Sequence, residues 1–222
     1  MLEKLEDIII VTGHYGSGKT NLSVNLAVDL QLRGKQVALA DLDIVNPYFR
    51  TADFADVAEE HGFELVIPPF ANTNLDIPAL PALVDAKLET GQTVVLDVGG
   101  DDAGAFALGR YAPRIQEKPY SMLYVLNRFR PLTEGPEQAY ILMKEIEAAS
   151  RLKVNYLVNN SNLSYETTLR DVKDSITYAE EVSRLSGVPV LFTSLEERLY
   201  RELEDRDGYY PLDIYVKAPW LA

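Results

Sequence analysis

Gly13-His14-Tyr15-Gly16-Ser17-Gly18-Lys19-Thr20 follows the apolar run Ile8-Ile9-Ile10-Val11, and Asn21-Leu22 opens an amphipathic segment behind it. The order is strand, glycine loop, helix. The spacing fits G-x-x-x-x-G-K-[ST], a loop built to hold phosphate. Glycines let the backbone turn back and aim successive N–H groups inward, which makes a concave anion site. The first turn of the following helix adds unpaired N–H groups and a positive dipole end. In this reading Lys19 places its ammonium on the β- and γ-phosphates and the Thr20 hydroxyl ligates Mg2+. The plainer alternative is a glycine-rich turn before a helix.

Working outward, the strand covers about 7–12 and the helix about 19–33. Leu22, Leu26 and Leu30 form one stripe, with Val24, Val28 and Leu32 beside it, so a wide face is buried. Gly34 supplies a C-terminal cap. Strand two, 36–42, is apolar almost throughout, as expected of a strand covered on both faces. A helix over 51–61, a short strand over 64–67, a polar turn-rich loop over 70–77 and a helix over 78–90 follow. Strand 93–98 comes next, then a helix over 103–117 that Pro113 kinks or breaks. Strand 121–126 ends at Asn127, helix 134–149 follows, and strand 154–158 ends at Asn159-Asn160. Helix 167–186 is capped by Gly187. After strand 188–193, Ser194-x-x-Glu197 reads as a capping box for a short helix. The tail at 213–217 is expected to add an edge strand.

Strands alternate with helices, with no long linker or repeat. The pattern predicts an α/β fold: a mostly parallel sheet with helices on both faces, in one domain over 1–222. Hydrophobic residues make up 47% and charged residues 25% of the 222, ordinary for a globular protein. The formal net charge is −13. That charge repels phosphate backbones and anionic lipid, so nucleic acid and membrane are not expected as partners. The chain has no cysteine, which excludes thiolate nucleophiles and Cys-ligated zinc or iron–sulfur centres. Its first residues do not read as a signal peptide, and no run approaches a membrane span of roughly 20 apolar residues. A cytoplasmic protein is the expectation.

Three carboxylates extend the phosphate reading. Asp97 ends an apolar strand, in the position of a residue that holds Mg2+, commonly through a water. Asp97-Val98-Gly99-Gly100 fits D-x-x-G, so the Gly100 amide would sense a terminal phosphate. An Asp-Gly turn after a strand is the alternative. Asp41 and Asp43 stand together at the end of strand two, where ligands bind in open α/β sheets. Neighbouring carboxylates repel unless a cation or donors lie between them. With Mg2+ as that cation, Asp43 would orient or deprotonate the attacking water and Asp41 would support the metal shell. The alternative is an Asx turn before Asn46-Pro47.

With Gly16-Ser17-Gly18-Lys19-Thr20, Asp41-Leu42-Asp43 before Pro47, and Asp97-x-x-Gly100, the chain resembles the ParA/MinD-type P-loop ATPases over roughly residues 7–200. The resemblance implies a three-layer P-loop fold and a Mg–ATP-dependent homodimer that hydrolyses ATP slowly and switches partners. It assigns phosphate and Mg2+ contacts to Gly13, Gly16, Gly18, Lys19, Thr20 and Asp97, and hydrolysis to Asp43. The full expected set adds His14, Tyr15, Ser17, Asn21 and Gly100 at the nucleotide, with Lys19 and Asp43 catalytic and Thr20, Asp41, Asp43 and Asp97 at the metal. Loops after the last strands would hold the purine, which points to Asn159 and Asn160 and to the loop 193–196. Those asparagines would otherwise cap a helix or make a turn.

His14 stands where such ATPases carry a signature lysine, and a neutral imidazole carries no fixed charge at pH 7. There is no CxxC metal-carrier motif, and the acidic stretch 196–207 does not resemble a basic membrane-targeting helix. Tyr48, Phe49 and Arg50 read either as interface anchors or, for Phe49, as core. Arg128 and Arg130 would meet phosphate or a partner's acidic face, or stand as a solvated pair. Three functions remain open: a nucleotide-switched ATPase with a protein partner, a small-molecule kinase or ATP-dependent ligase resembling dethiobiotin synthetase, and a nucleotide-binding scaffold. ATP over GTP rests on the resemblance; Asn127-Arg128-Phe129-Arg130 lacks the Lys and Asp of the guanine motif N-K-x-D.

Overall fold

Ile8–Gly13 (β1) is buried along its whole length, and it lies in the interior of the sheet. The computed structural model describes residues 1–42, 54–66, 79–100 and 102–216. Asp43, Tyr48, Phe49, Arg50, Asp101 and the loop 70–77 lie outside them. The strands are β1, Val37–Asp41 (β2), Glu64–Val66 (β3), Thr93–Asp97 (β4), Tyr120–Leu126 (β5), Tyr156–Asn159 (β6), Val190–Glu196 (β7) and Tyr209–Leu212 (β8). Among the described residues they form one eight-stranded sheet in the order β3-β2-β4-β1-β5-β6-β7-β8. Every neighbouring pair is parallel.

The helices are Lys19–Leu32 (α1), Ala55–His61 (α2), Ala79–Glu89 (α3), Asp102–Gly109 (α4), Ala112–Ile115 (α5), Pro136–Ser150 (α6), Leu169–Ser186 (α7) and Glu197–Tyr200 (α8). Alternation along the strands assigns them to layers. Ile8 and Ile10 of β1, Leu96 of β4 and Met122 and Tyr124 of β5 pack with Val84 of α3, Leu108 of α4, Met143 of α6 and Val182 of α7. Ile9 and Val11, with Val95 and Leu123, point the other way onto Leu22, Leu26 and Leu30 of α1 and Ala58 of α2. Continuous apolar strands and two helical layers are therefore one fact seen twice. After β1 the chain moves to β2 and β3, returns to β4, and then crosses to β5 on the far side of β1. The connections after β1 and β5 leave in opposite directions, and the carboxyl ends of strands at such a switch point are the usual ligand position in open α/β sheets.

Several local expectations change. Leu32 is exposed at the end of α1 rather than on its buried face. The expected 103–117 helix is two helices, with Pro113 in the first turn of α5, where its missing N–H is harmless. Ser194 lies inside β7 and does not cap α8; its hydroxyl donates instead to Asn160 Oδ1 at 2.8 Å. The edge strand is β8, before the expected tail segment, and it carries Pro211 where an edge tolerates proline. Residues 213–216 instead dock on α1. Asp213 donates its N–H to Asn25 Oδ1 at 2.8 Å, and its carbonyl accepts from Nδ2 of Asn21 and of Asn25, each at 2.9 Å.

Candidate functional site

The loop between β1 and α1 turns on glycines with positive φ: 73° at Gly16 and 88° at Gly18. A Cβ on Gly18 would lie 2.3 Å from Asn160 Nδ2, so only glycine fits there. The loop is held from three directions. Internally, Ser17 donates its N–H to the His14 carbonyl at 3.2 Å, and Lys19 Nζ donates to the same oxygen at 3.1 Å. From the end of β6, Asn160 Nδ2 donates to the Ser17 carbonyl at 2.7 Å. From the turn after β5, Arg130 Nε donates to the Gly16 carbonyl at 2.8 Å.

β4 is hydrogen-bonded to β1, so its end brings Asp97 beside the loop. The carboxylate is 2% exposed. Ser23 Oγ, one turn into α1, donates to Asp97 Oδ1 at 3.1 Å. Asp41 is its register partner on β2. Burial, and then the Asp41 charge, push the Asp97 carboxyl up to about 7, against hydrogen bonds from Thr20 and Ser23 and the Lys19 charge. Gly100 lies close: a Cβ there would come within 2.4 Å of Tyr15 N and 2.7 Å of Lys19 Nζ. The D-x-x-G turn therefore presses on the phosphate loop itself. Burial, then the Lys19 and Arg130 charges, hold the His14 imidazole below its usual range.

The other expected residues take different places. Tyr15 is exposed. Asn21 points its side chain at the tail, with Oδ1 accepting from the N–H groups of Tyr215 and Val216 at 2.9 and 3.1 Å. Asn159 is wholly buried: Nδ2 donates to Ser175 Oγ at 2.8 Å, and Oδ1 accepts from Ser161 Oγ at 2.8 Å. Asn160 uses one amide hydrogen on Ser17 and one lone pair on Ser194, keeping one of each. Ser23, Ser194 and Arg130 are the site neighbours the sequence reading passed over or left open. Ser23 carried a signal, since it stands three residues after Thr20 on the same helix face.

The residues fit a magnesium–nucleotide complex. Lys19 supplies the fixed cation, and Thr20 and Asp97 supply hard oxygen donors suited to Mg2+. Among the described residues no group of three or more His, Cys, Asp or Glu forms a self-sufficient metal cage, so phosphate oxygens and water would complete the shell. Ser17 Oγ, inside the loop, and Thr12 Oγ1, just before it, are buried without a hydrogen-bond partner among the described residues. Orphaned oxygens at this spot are consistent with a partner that is a ligand.

Fold and loop together define a P-loop nucleotide-binding protein. Residues 8–186 match the CobQ/CobB/MinD/ParA nucleotide binding domain (CbiA), well over half of the chain, and the chain belongs to that family. No curated protein matches it. Among solved structures, FtsY of Thermotoga maritima is similar at a TM-score of 0.57 and 22% identity, covering 93% of this chain and 65% of its own. Chloroplast FtsY of Physcomitrella patens gives 0.60 and 19%, covering 86% and 58%. The signal recognition particle 54 kDa protein of Aeropyrum pernix, solved with GDP, gives 0.58 and 16%, covering 84% and 40%. The chain thus spans about three fifths of the FtsY chains it resembles, and identities this low speak for the fold alone. No helix among the described residues is long and apolar enough to cross a membrane.

Proposed function

We propose that the chain binds Mg–ATP at this loop, hydrolyses it slowly, and uses the change to switch its hold on a protein partner, with residues 1–222 acting as one nucleotide-binding domain and pairing as a homodimer. The observation that carries the reading is the meeting of Lys19 and the glycine loop with Asp97, which Thr20 and Ser23 face from the first turns of α1. The loop amides from Gly13 to Thr20 and Lys19 Nζ take the phosphates. Thr20 and Asp97 would hold Mg2+, with Asp41 supporting the site, and the ion would neutralise charge on the phosphates. Asp43, outside the described residues, orients the attacking water. The water's oxygen bonds the terminal phosphorus as its proton passes to the Asp43 carboxylate, the bond to the bridging oxygen breaks, and ADP and inorganic phosphate leave. Gly100, pressed on Tyr15 and Lys19, carries the state of the terminal phosphate into the turn before α4.

Asn21 contributes its backbone N–H only. For the base, Asn160 retains one donor and one acceptor, while Asn159 is closed in by Ser161, Ser175 and Thr193. A guanine nucleotide is the second reading, because the similar 54 kDa protein was solved with GDP. Titration of fluorescent ATP with and without Mg2+, with unlabelled GTP as competitor, tests both. ATP is supported by tight Mg2+-dependent binding that GTP does not displace; displacement by GTP at equal concentration transfers the reading to guanine.

A further inference from the structure

Arg130 stands in the turn after β5, and its position is fixed by its own segment. Its N–H donates to the Asn127 carbonyl at 3.2 Å, and its carbonyl accepts from Thr133 N at 2.9 Å. Thr133 Oγ1 closes the turn by donating to Asn127 O at 2.7 Å. From that base Arg130 Nε reaches Gly16 O in the phosphate loop. A Cβ on Gly16 would lie 3.0 Å from Nε and 3.2 Å from Cζ, so the guanidinium lies against the loop. Its neighbour Arg128 is directed elsewhere, donating to Asp174 O at 2.9 Å.

The bond to Gly16 engages one of five guanidinium N–H groups. Among the described residues no carboxylate pairs with Arg130, in a chain of net charge −13. A nucleoside triphosphate brings more negative charge than Mg2+ and Lys19 neutralise. An arginine fork beside the loop matches phosphate oxygens in a way that a neutral imidazole does not.

We propose that Arg130 is a phosphate-binding residue of this site, supplied from the same chain, that grips the terminal phosphate of the nucleoside triphosphate. The inference rests on the proposed nucleotide site.

The test compares wild type with Arg130→Gln, Arg130→Lys and Arg130→Ala, using fluorescent Mg–ATP and Mg–ADP together with hydrolysis and thermal melting. Gln keeps a donor for the Gly16 carbonyl and loses the charge. We expect Arg130→Gln to melt as wild type does and to keep its ADP affinity. Its ATP affinity should fall toward that of ADP, and its hydrolysis should fall at least about 1000-fold, the lower end of what an arginine at a transferring phosphoryl group supplies. Lys should recover part of the loss, and added guanidinium should restore part of the Ala rate. A Gln variant with the wild-type ATP-to-ADP affinity ratio and rate overturns the inference and leaves the nucleotide site standing. A wild type that binds neither nucleotide overturns both.

Discussion

Asn160 and Ser17 are joined by a 2.7 Å hydrogen bond that ties the end of β6 to the phosphate loop, 143 residues away in sequence. Ser194 holds the other end of the Asn160 amide from β7. Removing Asn160 strands the buried Ser17 carbonyl, while the Ser194 hydroxyl falls back on the Asn159 carbonyl, at 3.3 Å. Asn160→Ala should therefore cost roughly 1–3 kcal/mol of stability and loosen nucleotide binding. Ser194→Ala leaves the Ser17 bond in place and should cost about 1 kcal/mol or less. Urea unfolding of both variants checks the order; equal losses would show that the link to the loop carries no particular weight.

Gly100 touches the loop so closely that a methyl group has nowhere to go. Its nearest neighbours include the Tyr15 backbone nitrogen, which cannot swing aside as a side-chain tip can. Gly100→Ala should displace the loop and weaken Mg–ATP binding by at least about 10-fold, equivalent to about 1.4 kcal/mol. Calorimetric titration reads this directly, and unchanged affinity would mean the contact has no bearing on the site.

Asp97 is buried beside Thr20 and Ser23, where its charge is costly without a cation. Asp97→Asn keeps the volume and removes the charge. The variant should retain weak nucleotide binding but lose the tightening that Mg2+ brings. Ser23→Ala should leave that Mg2+ response in place. An Asn variant as responsive to Mg2+ as wild type would remove Asp97 from the metal site.

Glu147 gives a pH signature remote from the nucleotide. Burial opposes its ionisation, but Lys144, the Val154 N–H at 3.0 Å and Lys153 at 3.1 Å outweigh it and hold the carboxyl below its ordinary 4.5. A carboxyl lowered on folding adds stability that is complete above its unfolded value and fades as pH falls through its folded one. The stability difference between wild type and Glu147→Gln should be constant above about pH 5 and shrink below it. A difference that grows on acidification would reverse the assigned sign.

The phosphate loop was legible because local spacing and chirality dictate it: glycines where φ is positive, then Lys and Thr on a helix start. The sheet was legible because apolar runs and helical stripes alternate without interruption. What could not be read were contacts between distant segments. Asn159 and Asn160 look alike in sequence, yet one faces α7 and the other the phosphate loop, because strand alternation sends neighbours to opposite faces. Ser194 matched a capping pattern, but a buried amide partner on the next strand outcompeted the local cap. The tail residues 213–216 lost their expected strand to Asn21 and Asn25, whose side chains answer the backbone in place of a strand. Arg130 carried no motif at all; its nearness to Gly16 follows from β5 lying beside β1.

The most direct test of the whole account is the affinity of Lys19→Ala for Mg–ATP beside that of wild type. Removing the ammonium should weaken binding roughly 10- to 100-fold, the worth of a charge-assisted hydrogen bond at roughly 1.5–3 kcal/mol, with the melting temperature of the free protein little changed. Equal affinities for wild type and variant would contradict a triphosphate held by this loop.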